Sequence, residues 1–199
     1  VYKTVDMNAS ADIAELKKAS RITVNGSGSS SEWRNKYLIT DFYQYVRKGR
    51  YFENRRCDEQ PRYRLTYDDK YIYALFSIKT KEEPEKDQFA FYYAKTMDSK
   101  PVTFVADRLT GEFECSAGKD GVKFKLGRRK MNAELAIPRK LLGLDEDVNS
   151  FFGNFARKMV VTVKDRRGND KKQEVVHYWR GNRYSLENPV VYAQFKFEE

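Results

Sequence analysis

The residues able to do covalent chemistry in this chain are few and poorly matched. His177 is the single histidine, so a Ser-His-Asp or Cys-His mechanism would have to run through it. No Gly-x-Ser-x-Gly elbow marks a nucleophile for it to activate, and a strand histidine at a sheet surface is the expected reading. Carboxylates come in sequence pairs: Asp68 with Asp69, Glu82 with Glu83, Glu53 near Asp58. A glycosidase needs two carboxyls facing one another across a cleft, about 5 or 6.5–9.5 Å apart. Neighbours on a turn point apart, so these pairs read as solvated turn chemistry, and the chain is expected not to be an enzyme. Met97, Met131 and Met159 are scattered and no Cys-x-x-Cys-His occurs, so a haem is not expected either. Asp68, Asp69 and Asp87 are the candidate ligands for a structural calcium, the one cofactor the sequence leaves room for. A hard cation takes about six to eight oxygens, and the remaining donors are dispersed.

Binding chemistry is better represented. From Tyr43 to Arg56 the sequence reads YQYVRKGRYFENRR, cations interleaved with aromatics. Arginine forks above flat rings suit a uronate or sulfated glycan, nucleic acid, or plain solvation of a basic loop. Further cations stand at Arg128-Arg129-Lys130 and over Lys164 to Lys172, and no nucleic-acid motif accompanies them, which disfavours nucleic acid. Arg50, Tyr51 and Arg55 are therefore candidate carbohydrate contacts. Trp33 follows the loop Ser27-Gly28-Ser29-Ser30-Ser31 and could stack on a sugar ring, or equally pack beneath the sheet. Trp179, beside His177 and Arg180, carries the same two readings.

Composition sets the frame for these residues. The 199 residues carry a net charge of +9, with 14 Tyr and 13 Phe and 40% hydrophobic residues. Such abundance of aromatics, with scattered glycines and few helical periods, favours an all-β fold. No run of about 18 apolar residues occurs, so no transmembrane helix is expected. The chain opens at Val1 with no apolar leader and is expected to be a mature or trimmed piece whose address lies elsewhere. Cys57 and Cys115 lack the spacing of a zinc or redox motif; a disulfide between them and two separate thiols both remain open.

The element that must organise the rest is YRLTYDDKYIYALFSIK, from Tyr63 to Lys79: two strands joined by a turn at Asp68-Asp69-Lys70. A hairpin this aromatic must be covered by other strands. Residues 1–20 read as an extension, with Ser10 capping a short helix from Ala11 to Ala19. Strands are expected at Arg21–Val24, Tyr37–Phe42, Asp87–Tyr93, Val102–Ala106, Glu112–Cys115, Val122–Leu126 and Asn132–Ile137. A helical turn over Arg139–Leu142 closes at Gly143. Phe151–Val163, with an irregular start at Gly153-Asn154, Val175–Trp179 and Val190–Phe197 follow. About eleven strands, with turn signals roughly every 8–12 residues, predict one antiparallel β-sandwich of jelly-roll type over residues 21–199, behind a short N-terminal helical extension.

An ordered series of motifs now aligns with a known family. Asn25-Gly26 precedes Glu32-Trp33; Tyr67-Asp68-Asp69-Lys70-Tyr71-Ile72-Tyr73 follows, then Asp87 opening a strand. Glu134-Leu135-Ala136-Ile137-Pro138 with Leu141-Leu142-Gly143, Phe152-Gly153-Asn154-Phe155-Ala156-Arg157, and Tyr178-Trp179 before Asn188-Pro189 and Tyr192-Ala193-Gln194-Phe195 complete it. Over roughly residues 20–199 the chain resembles the family 9 carbohydrate-binding modules, and more broadly the DOMON-type, cytochrome-like β-sandwich domains. The resemblance implies a non-catalytic module that clamps sugar between aromatic side chains, attached to or beside a glycoside hydrolase, in an extracellular, periplasmic or cell-surface setting. Where the family places a clamp aromatic this chain has Glu82-Glu83-Pro84-Glu85-Lys86, and Ala90 stands at a carboxylate position. The expected ligand is thus a polysaccharide, acidic or sulfated; the alternative is a structural or protein-interaction sandwich.

Overall fold

The structure, a computed structural model, describes residues 13–28, 30–48, 50–81, 83–144 and 147–198. Its strands are β1 (Ile13–Leu16), β2 (Tyr37–Ile39), β3 (Tyr43–Lys48), β4 (Tyr51–Arg56), β5 (Arg62–Tyr67), β6 (Tyr71–Ser77) and β7 (Lys86–Ala94). They continue as β8 (Val102–Asp107), β9 (Phe113–Cys115), β10 (Lys123–Leu126), β11 (Asn132–Pro138), β12 (Ser150–Lys164), β13 (Asp170–Tyr178) and β14 (Ala193–Phe197). Two antiparallel sheets pack face to face as a β-sandwich. The larger runs β4-β3-β13-β12-β7-β8-β9, with β14 alongside the first residues of β12 and β1 alongside β14. The smaller runs β10-β11-β6-β5-β2.

The β5–β6 hairpin forms as its sequence demands. The Asp68 carboxylate accepts the backbone N–H groups of Lys70 (2.8 Å) and Tyr71 (2.7 Å), closing the turn, and its second oxygen accepts the Tyr73 hydroxyl. Alternation then divides β6 between two environments. Ile72, Ala74 and Phe76 enter the main core, whereas Tyr73 and Leu75 join Trp33 and Ala136 on the outer side of the sheet. β7 is divided likewise: Phe89, Phe91 and Tyr93 face inward, and Ala90, Tyr92 and Ala94 pack against Leu186 and Tyr192 from the 180–192 loop. With both faces covered, near-continuous apolar runs are what these strands require. Tyr63 on β5 ties the sheets together: its ring lies 4.9 Å from Phe155, and its hydroxyl donates to the Ala156 carbonyl of β12 at 2.5 Å.

Several expectations are corrected. Residues 13–16, expected within a helix, form a parallel strand on β14, with Ala14 and Leu16 buried in the main core. A stripe of two apolar residues suits a strand edge as well as a helix, and tertiary pairing decides between them. The proposed Ser10 cap and first turn lie outside the described residues. Arg21–Val24 is not a strand; it is an irregular cover whose Ile22 and Val24 pack against the Trp33 cluster. β12 runs unbroken through Gly153, where a side chain is excluded because a Cβ would stand 2.9 Å from the Phe195 ring. The last strand begins at Ala193, after a 3-10 turn at Pro189–Val191. The turn at Arg139–Leu142, with Gly143 left-handed, is as expected. Among the described residues no helix is long and apolar enough to cross a membrane.

Candidate functional site

β3 and β4 form the hairpin at one edge of the larger sheet. Only His177 and Tyr178 of β13 pair with β3, at Gln44 and Tyr43, so beyond them the hairpin stands clear of its neighbour. A hydrogen bond from the Tyr178 hydroxyl to the Asn54 Oδ1 (2.6 Å) anchors it. The register puts Tyr43, Tyr45 and Arg47 on one face with Arg56, Asn54 and Phe52. On that face the rings of Tyr45 and Phe52 stack at 5.7 Å and 20°, with Tyr45 39% and Phe52 60% exposed. Arg56 is held by Asp41 at 2.7 Å. The opposite face carries Tyr51, 78% exposed, with Glu53 and Arg55. Adjacent exposed rings form an apolar patch of the kind that marks interaction sites. Here they lie among guanidinium groups and an amide, able to contact the apolar face of a sugar and hydrogen-bond its rim.

The hairpin leads into a cleft. Arg55 reaches Asp58 at 3.2 Å, and Asp58, Glu59 and Gln60 line one wall of a cavity of about 1160 Å³ at the end of the smaller sheet. Its other walls are the start of β5, the exit of β6 through Lys81, the β10–β11 turn and the 25–27 loop. The loop is fixed by a buried carboxylate. Glu134, fully enclosed on β11, accepts the backbone N–H groups of Asn25 and Gly26 at 2.7 Å, that of Gly28 at 3.0 Å, and the Trp33 indole N–H at 3.1 Å. Gly26 suits this anchor because its φ is +78° and a Cβ would stand 2.7 Å from the Leu126 backbone.

Close to this end, between the sheets, lies a buried ionic cluster. Asp87 on β7 accepts two hydrogen bonds from Arg157 on β12, at 2.8 and 2.7 Å, and one from Arg108. Asp87 and Arg157 have no solvent exposure. His177, paired in register with Arg157, is buried too. Burial above all, with the Arg157 charge, pushes its pKa down to about 4, against the opposite pulls of Asp87 and Glu59. The imidazole is therefore neutral near neutral pH.

The residues singled out in the sequence separate in space. Arg50, Tyr51 and Arg55 lie on the exposed hairpin. Trp33 is 1% exposed and its indole is committed to Glu134, so it offers no stacking face; Asn25, Gly26 and Gly28 before it are held by the same carboxylate. Trp179 packs against Phe155 and Phe195 with Arg180 over its ring, again within the sandwich. The three candidate calcium ligands do not converge. Asp68 closes its own turn, Asp69 pairs with Lys18 at 2.6 Å, and Asp87 is occupied by arginines that repel a cation. Among the described residues no three His, Cys, Asp or Glu side chains gather as a metal site. Cys57 and Cys115 are not joined in a disulfide. Sequence reasoning missed the cleft cations Arg62, Lys79 and Lys81, because strand pairing alone brings them beside Arg128 and Arg129. The clue was Gly127-Arg128-Arg129, two cations on a tight turn. No family model matches the chain, and no curated protein or solved structure is significantly similar to it.

Proposed function

We propose that this protein is a non-catalytic carbohydrate-binding module for a polysaccharide, acidic or sulfated, working outside the cytoplasm attached to or beside a glycoside hydrolase. The observation that carries the reading is the exposed Tyr45–Phe52 stack with Arg47, Asn54 and Arg56 on the same face. Aromatic faces bind the C–H side of a pyranose; the amide and guanidinium groups meet hydroxyls and acidic substituents. Glu53, the hairpin's acidic residue, projects from the opposite face, away from the stack. Affinity per site would be modest and would rise with repeated contacts along a chain.

Affinity electrophoresis in gels containing neutral or acidic polysaccharide tests this. Retardation that falls with salt, and falls again when Tyr45→Ala and Phe52→Ala are combined, supports it; unretarded wild-type protein in every gel rejects it. A second reading, a protein-interaction sandwich, draws on β4 being an edge strand whose six side chains are all exposed. A partner strand could pair with it. Charge-preserving removal of the two rings would leave that interaction intact, whereas Asn54→Pro would abolish it by breaking the edge.

A further inference from the structure

We propose that the cleft at the end of the smaller sheet is a second binding site, one that takes a carboxylate or sulfate group of an oligosaccharide while the charge of Glu59 on its wall opposes anions of higher charge density. The proposal rests on the carbohydrate reading above and adds the place where acidity is read.

Three observations lead there. First, Arg62, Lys79, Lys81, Arg128 and Arg129 all border the cleft and all are exposed, and among the described residues none is engaged by a carboxylate. Arg55, by contrast, takes up Asp58 on the same wall. Uncompensated cations around a concavity concentrate field inside it and attract an anion. Arg128 and Arg129 offer planar forks that fit carboxylate or sulfate oxygens in pairs. Second, the cleft is not uniformly basic. Glu59 spends Oε1 on the Lys81 backbone N–H at 2.9 Å, while its Oε2 is buried with no hydrogen-bond partner. Enclosed in this way, the carboxylate acts on a ligand through its charge, which opposes a bare polyanion more than a sugar with one acid group per ring. Free cations beside one carboxylate favour an anion of low charge density, such as an acidic sugar. Third, the walls are preformed. Glu134 fixes the 25–28 loop, Asn132 Nδ2 donates to the Ser27 carbonyl at 3.1 Å, and the Lys130 N–H closes the β10–β11 turn on Gly127 at 2.8 Å. Little ordering is then required on binding. The volume of about 1160 Å³ accommodates more than one sugar ring.

The test is calorimetry on the whole chain with an oligogalacturonate, a sulfated galactan oligomer, a neutral cello-oligomer of equal length, and tripolyphosphate as an anion without hydroxyls. At low salt at least one of the two acidic oligomers should bind about tenfold or more tightly than the neutral one, and the one that does names the acidic group. Combining Arg128→Ser with Arg129→Ser should cut that preference severalfold and leave neutral binding at the hairpin and melting temperature unchanged, both residues being exposed. Glu59→Ala should strengthen tripolyphosphate more than the acidic oligomer. Equal affinity for acidic and neutral oligomers, an acid preference untouched by the arginine variant, or tripolyphosphate binding as tightly as the sugar would each overturn the site. In those cases ring-dependent sugar binding at the hairpin still stands. Absence of binding to any sugar would instead reject the carbohydrate reading, and the cleft proposal with it.

Discussion

Asp87 has the most consequential side chain in the molecule for stability. A carboxylate with no solvent exposure survives because Arg157 and Arg108 neutralise and hydrogen-bond it. Asp87→Ala strands two arginines and should cost about 3–5 kcal/mol, read as a lowered urea midpoint with an unchanged slope; a loss below about 1 kcal/mol would mean the arginines find other partners. His177, paired in register with Arg157, sets a pH dependence. Its folded pKa of about 4 lies below the ordinary value of 6.5. The unfolded chain therefore binds the extra proton, and stability falls as pH drops from about 6.5 towards 4, by up to on the order of 3 kcal/mol. The difference in melting temperature between wild type and His177→Gln should shrink over that window; a constant difference would show that the histidine is not buried neutral. Neither role was legible in the sequence. Asp87 read as a metal ligand and His177 as a surface strand residue, because the arginines that define both environments come from distant strands.

At the level of elements, the sequence was most readable where local chemistry and periodicity agree. The β5–β6 hairpin follows from its Asp-Asp-Lys turn and dense aromatics, and Arg139–Leu142 from Pro138 before it and Gly143 after. The N-terminal strand was not readable, since β1 exists only by pairing with β14, almost the whole chain away. If that pairing carries part of the sandwich, Leu16→Ala, at a fully buried position, should cost about 2–5 kcal/mol; a loss of a few tenths would mark β1 as a loose appendage. Trp33 read equally well as ligand platform or packing, and Glu134 decides it. Glu134→Ala removes the acceptor of four N–H groups and should destabilise by on the order of 3 kcal/mol. Hydrogen exchange over residues 25–33 should speed up while sugar binding at the hairpin persists. Loss of hairpin binding in that variant would contradict the separation of loop anchor from binding face.

Across the whole molecule, the charge of +9 is not evenly used. Part is spent in surface pairs such as Lys164–Asp170 and Lys172–Glu85, which are worth little each. The cleft cations continue to the hairpin through Asp58 and Arg55, on the hairpin face opposite the Tyr45–Phe52 stack. Composition announced the excess; only the topology shows where it gathers. Screening over a Debye length of about 8–10 Å near physiological salt should weaken binding of an acidic glycan steadily as salt rises, with the neutral, ring-dependent part surviving. The most direct measurement is the affinity of wild type and of the combined Tyr45→Ala, Phe52→Ala variant for an acidic polysaccharide, taken with their melting temperatures. The account predicts measurable wild-type binding, a loss of about tenfold or more in the variant, and matched melting temperatures. Wild-type protein that binds no polysaccharide at millimolar concentration, or a variant that binds equally well, would contradict it.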